Sequence, residues 1–87
     1  MWNLAVTDKA RKTLDKLPKS QARHILNRLE ERVLMQDDPT LYAKSLKRDM
    51  LGLWLLRIEN YRVVFRIIEA TKTIHVTHLG HRKDVYN

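Results

Sequence analysis

The chain has 87 residues, no cysteine, and a formal net charge of +7 from 17 basic and 10 acidic side chains. This length predicts one small domain over residues 1–87, and a chain without cysteine excludes disulfides and cysteine-ligated zinc. No apolar run approaches the roughly 20 residues of a membrane span, and Asp8 and Lys9 interrupt any signal-peptide pattern, so we expect a cytoplasmic protein without a membrane partner.

The first half of the chain predicts a strand followed by two helices. Residues 2–6 have the apolar content of a short strand, and Thr7 suits a helix N-cap with Asp8 in the first turn. Apolar residues then recur at helical spacing until Pro18 ends the first helix, and a second helix is predicted over residues 19–35. The short connection around Pro18 predicts an antiparallel helix hairpin.

A polar connection separates the helices from the remaining strands. Asp38 followed by Pro39 suits the start of a single helical turn. Residues 44–52 are basic and irregular, and we expect Lys44, Lys47 and Arg48 to flank a groove. Taken singly, each of these three cations is equally consistent with an exposed position in a solvated loop.

Residues 53–68 predict a β-hairpin that turns at Glu59 and Asn60. Side chains alternate along a strand, so one face of this hairpin is apolar and suits packing against the helices. That face comprises Trp54, Leu56, Ile58, Tyr61, Val63, Phe65 and Ile67. The other face comprises Leu53, Leu55, Arg57, Arg62, Val64 and Arg66.

Two arginines are predicted to lie directly opposite each other on the second face. The hairpin register places Arg57 across from Arg62, and like charges in that position destabilise a sheet. An anion bound between the two guanidinium groups would remove this repulsion. The pair therefore indicates an anion-binding face.

Residues 73–79 predict a last strand beside the hairpin. Its predicted register places Leu79 on the arginine face, opposite Arg62, and His78 on the core side. The element order predicts an α+β fold, in which an N-terminal strand precedes an antiparallel two-helix hairpin packed on one face of an antiparallel β-sheet.

The sequence contains no motif for a metal ion or an organic cofactor. It lacks a glycine-rich phosphate loop, and its histidines are His24, His75, His78 and His81. Alternation along the last strand predicts opposite faces for His75 and His78, where they would not share a metal ion. We therefore expect neither a metal site nor a cofactor.

The chemistry that remains is cationic. Residues 1–43 hold 8 basic and 6 acidic side chains, a charge of +2, and residues 44–87 hold 9 and 4, a charge of +5. This excess indicates a polyanionic partner, with nucleic acid the first candidate and an acidic protein segment the second. Four residues are predicted to meet at one edge of the sheet: Arg62, His81, Arg82 and Tyr86. Their groups suit metal-independent RNA cleavage through a ribose 2′-hydroxyl, and they also suit phosphate or carboxylate binding without chemistry.

Two motifs resemble those of a known protein family. NYRVVFRI in the hairpin is followed, after one strand, by LGHRKDVY, and the pair at this distance resembles the RelE/ParE superfamily of toxin–antitoxin modules. The RelE-like branch is the nearer match. The resemblance extends over nearly the whole chain, including TDKARKTLDKLPKS and SLKRDMLGLW, and it implies a RelE-like fold.

The resemblance implies the toxin of a type II toxin–antitoxin system. RelE-like toxins cleave messenger RNA in the ribosomal A site and inhibit translation, and a cognate antitoxin neutralises them by wrapping around the domain. Contact with operator DNA would then be indirect, through the antitoxin complex. The family pattern implies that Arg62 and Arg82 bind the scissile phosphate and that Tyr86 orients or stacks on the substrate. His81 is then the candidate general acid or base.

Other basic residues are implied as RNA contacts. Arg57 and Lys47 match basic positions of the family, and the remaining candidates are Lys44, Arg48, Arg66 and Lys83. Relatives often carry lysine or arginine where this chain has Leu53 and Leu55, which predicts weaker cleavage. On an open face, these leucines suit contact with an antitoxin segment.

Two alternative functions stay open within the same superfamily. A ParE-like protein would inhibit DNA gyrase, although that branch generally lacks equivalents of His81 and Tyr86. A degenerate member would act mainly by binding its antitoxin, and operator DNA with it, without cleaving RNA.

Overall fold

The computed structural model describes residues 1–81, which form a helix hairpin and a five-stranded sheet. The helices are α1 (Asp8–Lys16) and α2 (Lys19–Leu29), and α2 continues into a π-helical turn at Glu30–Leu34. The strands are β1 (Asn3–Val6), β2 (Lys44–Ser45), β3 (Trp54–Ile58), β4 (Tyr61–Ile68) and β5 (Thr73–His81). Neither helix of this described part is long and apolar enough to cross a membrane.

The strands lie in the spatial order β1-β5-β4-β3-β2. Three neighbouring pairs are antiparallel, but β1 runs parallel to β5, with Leu4 opposite Ile74. Parallel pairing requires a long connection between the two strands, and residues 7–72 provide it. The predicted α+β fold is confirmed, with the sheet mixed rather than antiparallel throughout.

Local sequence signals fix the start of α1 and attach it to the sheet. Thr7 is the N-cap, and its Oγ1 accepts a hydrogen bond from the backbone N–H of Ala10 at 3.2 Å. The same hydroxyl donates to the carbonyl oxygen of Thr77 in β5 at 3.3 Å. The cap therefore sets both the beginning of the helix and its position over β5.

The central hairpin has the predicted register. The pairs are Trp54 with Phe65, Leu55 with Val64, Leu56 with Val63, Arg57 with Arg62 and Ile58 with Tyr61. Glu59 begins the two-residue turn at a φ of 55°, in the left-handed region. Its carboxylate Oε1 lies 2.6 Å from Nε2 of His24, so the tip of the hairpin is joined to α2.

The main core lies between the helices and the sheet. Its largest fully buried side chains include Phe65 and Leu56 from the hairpin, and Ile25 from α2. Each of these is at most 2% exposed. The apolar hairpin face predicted from alternation therefore packs against the helices as expected.

A β-bulge in β5 changes the faces predicted for the end of that strand. The pairs beyond it are His78 with Val64, Leu79 with Val63, Gly80 with Arg62 and His81 with Tyr61. Thr77 is thus an extra residue, which shifts the later pairing by one position. The predicted positions of Leu79 and His78 are wrong, because Leu79 is buried in the main core and Gly80 lies opposite Arg62.

A second, smaller cluster covers part of the opposite face of the sheet. Leu46 packs on Leu55 and Val64, which are 2% and 0% exposed, and Met50 and Leu53 pack against them. The backbone N–H of Leu46 donates to the carbonyl oxygen of Leu53 at 3.0 Å, which holds this cover on the sheet. The expected exposure of Leu55 is therefore wrong, and Leu53 is half-buried. A charged side chain at position 55 would have to be desolvated beneath Leu46.

We expect Leu55→Ala to lower the free energy of unfolding by about 2–3 kcal/mol, because it removes apolar volume from beneath Leu46. Leu51→Ala is the matched control, since Leu51 is 78% exposed. The free energy of unfolding of this control should stay within about 0.5 kcal/mol of the wild-type value. Chemical denaturation of both variants measures the difference, and two equally small effects would contradict the burial of Leu55.

Candidate nucleic-acid interface

The opposed arginines form the centre of the candidate site. Arg57 in β3 is exposed, whereas Arg62 in β4 is half-buried, and the two lie directly across from each other. The Nε atom of Arg62 is buried and makes no hydrogen bond within residues 1–81. A buried donor without an acceptor costs about 1–3 kcal/mol, more for a charged group. An anion that accepts from this N–H would relieve that cost and the repulsion from Arg57.

Two connected grooves extend from Arg57 to the β2 edge of the sheet. The first, of about 370 Å³, has the basic residues Lys44, Lys47 and Arg57 in its lining. The second, of about 290 Å³, is lined by Tyr42, Ala43, Lys44, Leu55 and Arg57. Because the grooves share Lys44, Leu55 and Arg57, we treat them as one feature, the edge groove. It presents three cations and one aromatic ring to solvent.

A hydrogen-bonded turn holds one end of the edge groove. The Asp38 carboxylate accepts from the backbone N–H of Thr40 at 2.9 Å and from its hydroxyl at 2.6 Å. These two bonds lower the pKa of Asp38 from 3.8. Backbone bonds from Leu41 to Asp38 and from Ala43 to Thr40 continue the turn past Tyr42. The predicted helical turn at Asp38 is wrong: the segment forms hydrogen-bonded turns without a helix.

Two other predicted RNA contacts lie outside the edge groove. Arg48 is exposed at the start of the 3₁₀ turn Arg48–Met50, with a φ of 59°. Arg66 is exposed on β4, opposite His75. The basic candidates therefore divide into a set that lines the groove and two exposed cations outside it.

His81 lies on the helix side of the sheet end, away from the arginine face. Its ring meets the ring of Tyr61 edge-on, with centroids 6.0 Å apart and planes at 75°. The hydroxyl of Tyr61 donates to Oε1 of Gln21 in α2 at 2.6 Å. His81 also lines a groove beside α1 with Lys9. The predicted meeting of His81 with Arg62 is therefore wrong for the described residues, because the bulge moves His81 opposite Tyr61.

The remaining tail candidates, Arg82, Lys83 and Tyr86, lie outside the described residues. Within residues 1–81, no three His, Asp or Glu side chains are grouped so that they could hold a metal ion.

Sequence reasoning missed two aromatic residues near the site. Tyr42 lies in the connection that follows the helices and was given no role, and Tyr61 was assigned only to the core face. The available signal for Tyr42 was its position two residues before Lys44, where the basic stretch 44–52 begins and an exposed tyrosine favours ligand contact. The hydrogen bond between His24 and Glu59 carried no local signal, because the two residues are 35 positions apart.

Comparisons with known proteins agree on one family. A family model described as the ParE toxin of the type II toxin–antitoxin system parDE matches residues 4–86. The chain is 29% identical over 87 residues to Toxin RelG of Mycobacterium tuberculosis (strain ATCC 25618 / H37Rv), covering 98% of this chain and 95% of that protein.

Solved structures share the fold. The crystal structure of the toxin–antitoxin complex RelBE2 from Mycobacterium tuberculosis contains a chain similar to this one, with a TM-score of 0.81 and 25% identity. The similarity covers 95% of this chain and 93% of that one. The isolated E. coli RelE toxin has a TM-score of 0.72 and 19% identity, covering 93% of this chain and 84% of that one, and it shows the fold alone.

The lowered pKa of Asp38 makes the turn before the edge groove sensitive to acid. A carboxyl whose pKa is lower in the folded state stabilises that state above its unfolded pKa and loses the effect as pH falls through the folded pKa. We therefore expect the destabilisation by Asp38→Ala to be constant near neutral pH and to shrink below pH 3.8.

Denaturant midpoints measured across this pH range test the effect. Asp37→Ala is the control for loss of a neighbouring carboxylate from the same exposed segment. A difference between Asp38→Ala and the wild type that persists undiminished far below pH 3.8 would show that the charge on Asp38 does not stabilise the turn.

Proposed function

The chain belongs to the RelE/ParE superfamily of toxins from type II toxin–antitoxin systems, and from that membership we propose that it is a ribosome-dependent mRNA endonuclease that inhibits translation. The observation that carries the proposal is the buried Nε of Arg62, opposite Arg57, which has no hydrogen-bond acceptor among residues 1–81. The name of the 29% identical relative, Toxin RelG, favours the RelE-like branch.

The proposed reaction begins with attack of a ribose 2′-oxygen on the adjacent phosphorus. The bond from phosphorus to the 5′-oxygen breaks, and a 2′,3′-cyclic phosphate forms. The proton of the 2′-hydroxyl passes to a general base, and the leaving 5′-oxygen receives a proton. Negative charge increases on the non-bridging oxygens, where a guanidinium lowers the energy of the transition state. Arg62 supplies that guanidinium, and Arg82 is proposed as the second.

The residue proposed to transfer protons is His81. His81 stays the proposed general acid or base, because it follows Gly80, the partner of Arg62. Its ring contact with Tyr61, however, places it on the helix side of the sheet. Tyr86 is proposed to orient or stack on the substrate, as the family pattern implies. We therefore expect phosphate binding to depend on Arg62 more strongly than on His81.

The edge groove is proposed to hold RNA beside the scissile phosphate. Lys44, Lys47 and Arg57 line it, and cations along a groove bind a phosphate backbone with an affinity that falls as salt rises. Arg48, Arg66 and Lys83 are proposed to add contacts outside the groove. The ribosomal A site would position the message, since positioning supplies much of the rate when acid–base groups are few.

A cognate antitoxin is the proposed protein partner, because a similar chain occurs in the RelBE2 toxin–antitoxin complex. Leu53 is half-buried and Leu55 is buried, so antitoxin contact at this position would fall on their cover, Leu46, and its surroundings. Operator DNA would be reached only through the antitoxin complex. The weaker cleavage predicted from leucines at these positions stays a prediction.

Inhibition of DNA gyrase is the second candidate function. The observation in its favour is the family description, which names the ParE toxin. A gyrase inhibitor would halt DNA supercoiling in a purified reaction and leave translation in extracts unchanged.

Arg62→Ala should reduce mRNA cleavage by about 100-fold or more, because it removes the donor aimed at the developing charge. Primer extension on mRNA from translating extracts measures new cleavage ends. Arg11→Ala is the matched control, since Arg11 is an exposed arginine on α1 outside the edge groove. His81→Gln should reduce cleavage by about 100-fold, the lower end of what a general acid or base usually contributes.

Three outcomes would revise the proposal. If the wild-type protein generates no cleavage ends while it blocks supercoiling by gyrase, the chain is a ParE-like inhibitor. If it does neither and is harmless without antitoxin, it is the degenerate, antitoxin-binding member. If cleavage ends appear equally with Arg62→Ala, the phosphate site lies elsewhere.

A further inference from the structure

We propose that Tyr42, Lys44 and Arg57 form a nucleotide subsite, in which the Tyr42 ring stacks on an RNA base and the two cations bind neighbouring phosphates. The inference deepens the proposed function, on which it rests for the identity of the ligand as messenger RNA. It assigns a role to an exposed aromatic residue that the cleavage chemistry does not use.

The lining of the edge groove carries the proposal. Tyr42 is 58% exposed, and it shares one groove of about 290 Å³ with Lys44 and Arg57. The neighbouring groove adds Lys47 to the same row of cations. An aromatic face beside a line of cations is the usual composition of a surface that binds single-stranded nucleic acid, because bases stack while phosphates pair with the cations.

The turn before Tyr42 makes the ring available at low entropic cost. Asp38 accepts two hydrogen bonds from Thr40, and Pro39 between them is buried. The backbone N–H of Ala43 donates to the carbonyl oxygen of Thr40 at 3.0 Å, which closes the turn around Tyr42. A backbone already ordered before binding loses less entropy when a ligand arrives.

The Tyr42 and Lys44 end of the subsite is separate from the scissile phosphate. Arg62 lies on β4, Arg57 on β3 and Lys44 on β2, so two strand spacings of about 4.8 Å separate the first from the last. A span of about 10 Å exceeds the roughly 3.4 Å between stacked nucleotides. The base on Tyr42 would therefore belong to a nucleotide that flanks the cleaved one.

Charge favours RNA over a protein as the occupant. Leu41 beside Tyr42 is 60% exposed, so an apolar protein contact is the competing interpretation. The groove itself is lined by Lys44 and Arg57 and by no acidic side chain among the described residues. Such a lining complements phosphates along a strand.

A binding assay with a short single-stranded RNA tests the subsite. The RNA carries 2′-O-methyl groups, which block cleavage, and one 2-aminopurine, whose fluorescence is quenched when it stacks. We expect the full-length wild-type protein to bind at low salt with quenching. Tyr42→Leu, which keeps apolar bulk but removes the ring, should weaken binding about tenfold and abolish the quenching.

Two matched variants complete the test. Tyr42→Phe keeps the ring and should bind within about twofold of the wild type, and Leu41→Ala, outside the groove lining, should do the same. If Tyr42→Leu binds as tightly as the wild type, or if the wild type does not bind, the subsite is refuted. Loss of antitoxin binding with unchanged RNA binding would instead assign Tyr42 to a protein interface.

Failure of the cleavage proposal is distinguishable from failure of this one. If the wild type binds RNA through the Tyr42 ring but produces no cleavage ends, the subsite is supported and the endonuclease proposal is refuted. If the wild type and Tyr42→Leu cleave at the same sites and at the same rate, the endonuclease proposal is supported and the subsite is refuted.

Discussion

Burial of β4 on both of its faces is the constraint from which the site follows. Val63 and Phe65 lie in the main core beneath the helices, while Val64 is buried on the opposite face under Leu46. An antiparallel sheet commonly leaves one face to solvent, so a second cover is needed only where that face is also apolar. The cover extends over the middle of β4, at Val64, and the charges of this face lie on either side of it, at Arg62 and Arg66.

The opposed arginines show what this arrangement costs the isolated domain. Arg57 and Arg62 repel each other across the strand pair. The buried Nε of Arg62, which has no acceptor within the described part of the chain, adds a desolvation cost. A fold retains such local conflicts mainly where a ligand resolves them. The rest of the hairpin has no comparable conflict, since its other pairs are apolar and buried or half-buried. The arginine pair that destabilises the isolated domain is therefore also the pair that can bind an anion.

Sequence reasoning was reliable where a short-range rule decided the outcome. The Thr7 cap and the register around Glu59 follow from local chemistry, and alternation then places Arg57 opposite Arg62. It failed where a long-range contact or an extra residue intervened. The burial of Leu55 depends on Leu46 folding back over the sheet, and the position of His81 depends on one bulged residue. Alternation carries no information about either event.

The bulge at Thr77 also affects how this chain is compared with its relatives. Before the bulge, even-numbered residues of β5 face the core. After it, odd-numbered residues do. An alignment that passes through β5 without a gap, against a relative whose strand is unbulged, therefore equates inward residues with outward ones from this point onward. His81 would then be matched to a neighbour of the phosphate site when its spatial counterpart lies one position away. Functional residues near the end of β5 are best transferred between relatives by strand pairing, with sequence columns checked against it.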